Sequence, residues 1–224
     1  MRTPRKLKVA GAAGLLILLA GSDSLKAKDK KVFVNPVAYH AKTYPAHEEE
    51  PNEHLTVAAD PYDLADKAGI FTVNYKDAQF LPILLIFSND GDQPISLSGM
   101  KAELITVDKQ KLPAAVPDQI FRRITKTNRP DQGVSLPVPF PRTKPKASVK
   151  AEAREEVEAA QFKALAVEPK MTRSGFLFFD IEGVAAPLAG ARLFITGLKN
   201  AAGQDILYFE IPMEKYLTYQ PPQP

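Results

Sequence analysis

An all-β, antiparallel sandwich is the fold this sequence predicts, and three observations lead to it. Short apolar runs with period-two alternation recur through residues 71–106 and again through 164–211, where helices would repeat every 3.6 residues. Turn-forming clusters separate the runs, most clearly Ser88-Asn89-Asp90-Gly91-Asp92 and Lys199-Asn200-Ala201-Ala202-Gly203. The links are short, and only antiparallel neighbours can be joined by short links.

Phe71, Val73 and Tyr75 alternate with polar Thr72 and Asn74, the pattern of a half-buried strand. Residues 83–87, Ile-Leu-Leu-Ile-Phe, are apolar without a break, as a central strand covered on both faces would be. Asp90-Gly91 then reads as a hairpin turn, because glycine accepts the positive φ such turns need. Ile95 and Leu97 alternate in the next strand, and Ala102, Leu104 and Thr106 share one face of another. Residues 164–167 form a short strand on this reading. Residues 175–181 put Phe176 and Phe178 on one face and Leu177, Phe179 and Ile181 on the other. Leu193 with Ile195, then Leu207 with Phe209 and Ile211, complete roughly seven to nine strands, the number of an immunoglobulin-like β-sandwich.

Residues 113–163 interrupt the series as an insertion. Residues 118–125 read as a short helix or an irregular turn. Pro130, Pro137, Pro139, Pro141 and Pro145 exclude a continuous helix or central strand. Leu136-Pro137-Val138-Pro139-Phe140-Pro141 favours an extended polyproline path. Residues 148–163 are the one good helix, with a thin apolar stripe of Val149, Ala153, Val157 and Ala160 that predicts packing on a surface. Between residues 120 and 150, eight Lys and Arg side chains stand against the single acid Asp131. Arg122, Arg123, Lys126 and Arg129 are the candidate interaction residues of this asymmetry, suited to another envelope protein or an anionic cell-surface component. Aromatic platforms do not interleave these bases, so nucleic acid is not an expected partner.

The amino-terminal segment reads as an export signal. Arg2, Arg5, Lys6 and Lys8 precede an apolar run over residues 9–20, with small Ala20-Gly21-Ser22 where a signal peptidase cuts. Twelve residues rise about 18 Å as a helix, short of the roughly 30 Å hydrocarbon core. Cleavage before Asp23 leaves no permanent transmembrane span. Leu19-Ala20-Gly21-Ser22 also resembles a bacterial lipobox, with serine in place of the lipidated cysteine. Removing the four positive charges of residues 1–22 from the chain's +3 leaves −1, so the basic pI belongs to the signal. Cysteine is absent, so an exported chain must rely on its core rather than on disulfides. The expected organisation is a signal over residues 1–22, a charged arm or linker over 23–54, a sandwich over 55–220 carrying the insertion 113–163, and a tail over 221–224.

Leu81-Pro82-Ile83, Ser88-Asn89-Asp90-Gly91, Val167-Glu168-Pro169, the run Ser174-Gly175-Phe176-Leu177-Phe178-Phe179-Asp180 and Phe209-Glu210-Ile211-Pro212 together carry a resemblance. The chain resembles bacterial extracytoplasmic immunoglobulin-like domains of unknown function. That likeness implies an envelope accessory or binding role and transfers no site residue.

Candidate chemistry is sparse. His40, His47 and His54 stand seven apart among Glu48, Glu49, Glu50 and Glu53, ligand types that suit zinc or copper. The spacing matches no metal motif, and Pro45 and Pro51 break any helix that would align the imidazoles. A solvated arm is expected there, with no metal and no cofactor. Asn89, Asp90 and Asp92 suit calcium by type but are also what a turn needs. Asp60, Asp63 and Asp66 read as turn and helix-start acids. No Gly-x-Ser-x-Gly elbow, phosphate-binding glycine loop or dinucleotide fingerprint is present. The expectation is a non-enzymatic exported envelope protein, periplasmic or extracellular, acting by protein–protein or surface contact. Its rival is a ligand-binding or metal-dependent module built on the His/Glu-rich arm.

Overall fold

The computed structural model describes residues 32–63, 65–127 and 147–218. The segment over residues 1–22 expected to direct export, the proline-rich stretch with Arg129, and the tail from residue 221 lie outside these.

The chain enters as an extended strap over residues 32–40 and makes a 3-10 turn at Ala41–Thr43. β1 (His47–Glu50) turns back into β2 (Leu55–Pro61). A link over residues 62–79, carrying α1 (Ala65–Ala68), leads to β3 (Phe80–Asn89). β4 (Ile95–Ser96), β5 (Lys101–Ile105) and β6 (Lys111–Pro113) follow. α2 (Pro117–Thr127) and α3 (Ala147–Ala160) come next. β7 (Ala166–Val167), β8 (Met171–Asp180), β9 (Arg192–Thr196), β10 (Phe209–Pro212) and α4 (Lys215–Thr218) complete the order.

The molecule is mostly β, and every strand pairing among the described residues is antiparallel. One sheet has the order β1-β2-β3-β8, the other β10-β9-β5-β6, and β4 pairs with β7 in a ribbon. The two sheets bury one core between them, with Val57, Leu85 and Phe87 from the first and Leu104, Leu193 and Ile211 from the second. No helix among the described residues is long and apolar enough to cross a membrane.

β3 is buried at all ten positions, which is why its sequence is apolar from Phe80 to Phe87 rather than alternating. Leu81, Ile83, Leu85 and Phe87 face the shared core. Phe80, Leu84 and Ile86 face the other way, into a second cluster with Ala58, Phe176 and Phe178. That cluster is closed by Ile120 and Ile124 of α2, Ala153, Val157 and Ala160 of α3, and the rings of Tyr62, Phe71 and Tyr75. The layering is therefore sheet, sheet, then helices with the 62–79 link. The expected division of β8, Phe176 and Phe178 against Leu177 and Phe179, is the one observed. Gly175 is required in β8, since a Cβ there would come 2.5 Å from Phe162 Cα where the chain leaving α3 runs alongside the strand.

Several expectations differ from the structure. Residues 71–75 are not a strand. Phe71 and Tyr75 do point inward, but the amides of Thr72 and Val73 donate to a side chain rather than to a neighbouring strand. The turn after β3 does not make a hairpin, because β4 pairs with β7 and not with β3. Asn89 redirects the chain: its Oδ1 accepts from Gly91 N–H at 2.8 Å while its Nδ2 donates to the carbonyls of Gln93 and Val167. Leu207 lies outside β10 and is exposed. The arm expected over residues 23–54 is, from residue 32 onward, laid on the fold. Phe33 and Ala38 pack on the second cluster, and β1 lends its His-Glu-Glu-Glu backbone to the sheet edge, where charged side chains are tolerated.

Candidate functional site

A groove of about 880 Å³ opens at the end of the doubly covered sheet, where β2 and β8 leave it and β3 enters. The link 62–79 forms one wall and the turn 181–187 the other. The two are joined by Ile181 N–H donating to the Gln79 carbonyl at 3.0 Å. Tyr62, Phe71, Tyr75 and Phe80 are buried beneath it, while Asp63, Asn74, Lys76 and Gln79 are exposed around it. The groove thus has an aromatic floor and a polar rim.

Each wall is fastened by a charged residue from one helix of the insertion. Glu156 of α3 is 4% exposed. Its carboxylate accepts from Thr72 N–H at 2.7 Å, from Val73 N–H at 3.2 Å and from the Thr72 hydroxyl. These bonds hold a segment of the link that no strand neighbour supports. From α2, the Arg123 guanidinium makes two parallel hydrogen bonds to the Asp180 carboxylate, Nη1 to Oδ1 at 2.5 Å. Its Nη2 is 3.3 Å from Glu182 Oε2, and its centre lies 5.0 Å from the Phe80 ring centroid. Asp180 Oδ1 also accepts from Glu182 N–H at 3.0 Å, which fixes the start of the second wall.

A third fastening sits at the root of the link. Asp60, 6% exposed, bonds Lys67 Nζ at 2.5 Å. That ammonium also lies 5.5 Å from the Tyr62 ring and 5.2 Å from the Tyr216 ring, within reach of cation–π attraction. Asp60 is thus a buried strand carboxylate paired across the link, not the turn acid expected. Burial pushes the Tyr62 and Tyr216 phenols well above the usual tyrosine range, and the Asp60 charge adds to it. Tyr75 is pushed up likewise, by burial and then by Glu156.

Burial works to raise the Asp180 carboxyl, but the Arg123 hydrogen bond, with the Glu182 amide, outweighs it and holds the group below its ordinary value. A lowered carboxylate pKa contributes stability that is present above the unfolded value, about 3.9, and lost as the pH falls through the folded one. Arg123→Gln is therefore expected to flatten the loss of stability below about pH 4. Because both partners are partly exposed, the cost at pH 7 is expected to be only about 1 kcal/mol. Urea unfolding at pH 3, 4 and 7 measures both.

The other residues singled out by sequence are spread over the molecule. Arg122 is exposed, and its Nε donates to the Asp118 carbonyl of its own helix at 3.1 Å. Lys126 belongs to the last turn of α2, and Arg129 lies outside the described residues. His40 Nε2 is 3.0 Å from Asp90 Oδ1, His47 Nδ1 is 2.7 Å from the Tyr44 carbonyl oxygen, and His54 occupies the β1–β2 turn with φ 51°. Among the described residues no group of three or more His, Asp or Glu is placed to hold a metal ion. Asp92 pairs with Lys170 Nζ at 2.9 Å, and that ammonium also donates to the Asp90 carbonyl, so the loop acids serve the turn.

Glu156 and Lys67 were missed from sequence. Glu156 had a signal: residues 153, 156, 157 and 160 follow the i, i+3, i+4, i+7 spacing of one helical face, so an acid sits inside the apolar stripe. No protein-family model matches the chain, and no curated protein matches it.

Proposed function

We propose that this chain is a non-enzymatic, exported envelope protein that binds a short segment of a partner protein in the groove between residues 62–79 and 181–187. The observation that carries this reading is the construction of the groove. Both helices of the insertion send a charged side chain to a groove wall, Glu156 to one and Arg123 to the other. An apolar floor inside a polar rim is the anatomy of a contact surface. The volume falls within the roughly 300–1,000 Å³ of sites that enclose a ligand.

The frame supports the reading. We read β2-β3-β8 and β10-β9-β5-β6 as the A-B-E and G-F-C-C′ sheets of an immunoglobulin-like domain, a reading that their strand order supports. On that correspondence the insertion falls between C′ and E, and β1 is an added edge strand. The basic, apolar and small-residue succession over residues 1–22 supports export.

Photo-crosslinking in the producing cells tests the proposal. A photoreactive amino acid at Val184, half-buried in the groove, is expected to capture one envelope protein. The same group at Lys111, on the edge strand β6 of the other sheet, is expected to capture none. Equal adducts at the two positions, or none at Val184, would contradict it.

A further inference from the structure

We propose that the strap over residues 32–40 gates the groove from behind: the groove keeps its binding shape only while the strap is seated. The inference rests on the groove reading above and adds the regulation of that site.

The strap touches both halves of the fastening that holds the 62–79 wall. The Phe33 ring stacks on Phe71 at 5.5 Å, with the planes 2° apart, and meets Phe176 edge-on at 6.3 Å. Phe71 lines the groove, and the next residue is Thr72, whose amide donates to Glu156. Asn35 Nδ2 donates to the Ala159 carbonyl at 2.8 Å. Ala159 stands in the last turn of α3, where carbonyls have no partner within the helix. Asn35 therefore caps the helix end within one turn of Glu156. One short segment thus backs the groove floor with a ring and steadies the helix that grips the wall.

The seating is light. Among the described residues no backbone-to-backbone hydrogen bond joins residues 32–39 to another segment. Besides Phe33 and Asn35, the strap is held by Ala38 against the same cluster and by Tyr39 N–H donating to the Tyr44 hydroxyl at 3.2 Å. Val32, Val34 and Val37, between these contacts, are 71%, 73% and 79% exposed. A segment with so few buried contacts opens at a lower free energy than the sheets behind it. Its hinge is firm, because Ala41 is buried and its N–H donates to Ser88 Oγ of β3 at 2.9 Å. Release therefore stops at Ala41 and leaves β1 and β2 in place.

Two arrangements follow. Seated, the strap fills the space behind Phe71 and fixes the groove floor. Released, Phe71 loses its stacking partner, α3 loses its cap, and the wall at Thr72 and Val73 loosens. A partner segment that binds the fixed groove favours the seated strap, and whatever draws the strap away weakens that binding by the same factor.

Inner and outer positions of the strap provide the test. F33A/N35A removes the two inner contacts, while V34A/V37A changes only exposed side chains. In hydrogen exchange of the whole chain with no partner added, F33A/N35A is expected to accelerate the Thr72 and Val73 amides at least about tenfold relative to the Leu85 amide. V34A/V37A is expected to leave all three unchanged. Asn35→Ala alone, which keeps the aromatic cluster whole, is expected to accelerate the same two amides about threefold. In the producing cells, F33A/N35A is expected to cut the adduct at Val184 at least about tenfold at equal protein level. Unchanged Thr72 and Val73 exchange in F33A/N35A and Asn35→Ala, equal acceleration at Leu85, or an equal effect of V34A/V37A would overturn the gate. A Val184 adduct that F33A/N35A leaves undiminished would overturn it too and spare the partner reading. The expected exchange with no adduct in the parent would support the coupling of strap and wall and sink the partner reading.

Discussion

Replacing Glu156 with alanine is expected to lower the free energy of unfolding by about 3 kcal/mol at pH 7. The carboxylate is buried and serves three donors, the Thr72 and Val73 amides and the Thr72 hydroxyl. Burying a charge costs solvation, and three charge-assisted hydrogen bonds are what offset that cost here. Alanine leaves the donors in place and removes every acceptor, and because Thr72 is exposed and Val73 half-buried each lost bond counts for about 1 kcal/mol, the low end of the range. Water entering from the groove would relieve part of this, which keeps the expected total near the lower bound of the sum. Glu156→Gln keeps one oxygen and the same shape, so its cost is expected to be nearer 1 kcal/mol. Urea unfolding of both variants measures the difference.

Phe176→Ala is expected to cost about 3–5 kcal/mol. The ring is fully buried in β8 and touches aromatic neighbours from three separate parts of the chain. Tyr62 meets it edge-on at 4.9 Å and Phe71 at 5.0 Å, both from the link, while Phe33 of the strap and Phe178 of β8 lie at 6.3 Å. Removing the ring leaves a cavity that these neighbours cannot fill by small shifts. Tyr62 is set by its amide's hydrogen bond to the Pro82 carbonyl at 2.9 Å, and Phe71 by the Glu156 bonds one and two residues on. The penalty therefore includes lost transfer energy and an uncollapsed void. Differential scanning calorimetry or urea unfolding at pH 7 checks it.

The parts of the fold that could be read in the sequence are those where one periodicity decides the structure. β3 is covered on both faces, so its side chains are apolar from Phe80 to Phe87 and the run from Ile83 to Phe87 stands out. β8 alternates between two apolar clusters, and Phe176 and Phe178 separate from Leu177 and Phe179 by position alone. Two kinds of element were hidden. β1 carries His-Glu-Glu-Glu, whose side chains say nothing of a strand because its place depends on the backbone of β2. The 71–75 segment shows strand alternation but lacks a strand partner; its inward rings obey the pattern while its amides turn to Glu156. That bond crosses eighty-four residues and leaves no local trace at Thr72.

The site was partly legible in the same sense. Among the described residues the charge-rich insertion does not itself line the groove, but Arg123 was named from it. Its role differs from that of a free contact residue, because the guanidinium is committed to Asp180 and Glu182 and acts by positioning the turn wall. Asp60 read as a turn acid and Lys67 was not singled out; their pairing, and the Tyr62 and Tyr216 rings around the ammonium, arise only when β2, the link and α4 come together.

Hydrogen exchange tests most directly the central claim that the insertion's helices hold the groove walls. In the parent chain the amides of Thr72 and Val73 are expected to be protected although no strand pairs with them. In Glu156→Ala their exchange is expected to accelerate at least about a hundredfold relative to the amide of Leu85 in β3, which reports opening of the whole fold. Equal acceleration at Thr72, Val73 and Leu85, or none at the first two, would contradict the account and show that the link holds its own shape without α3.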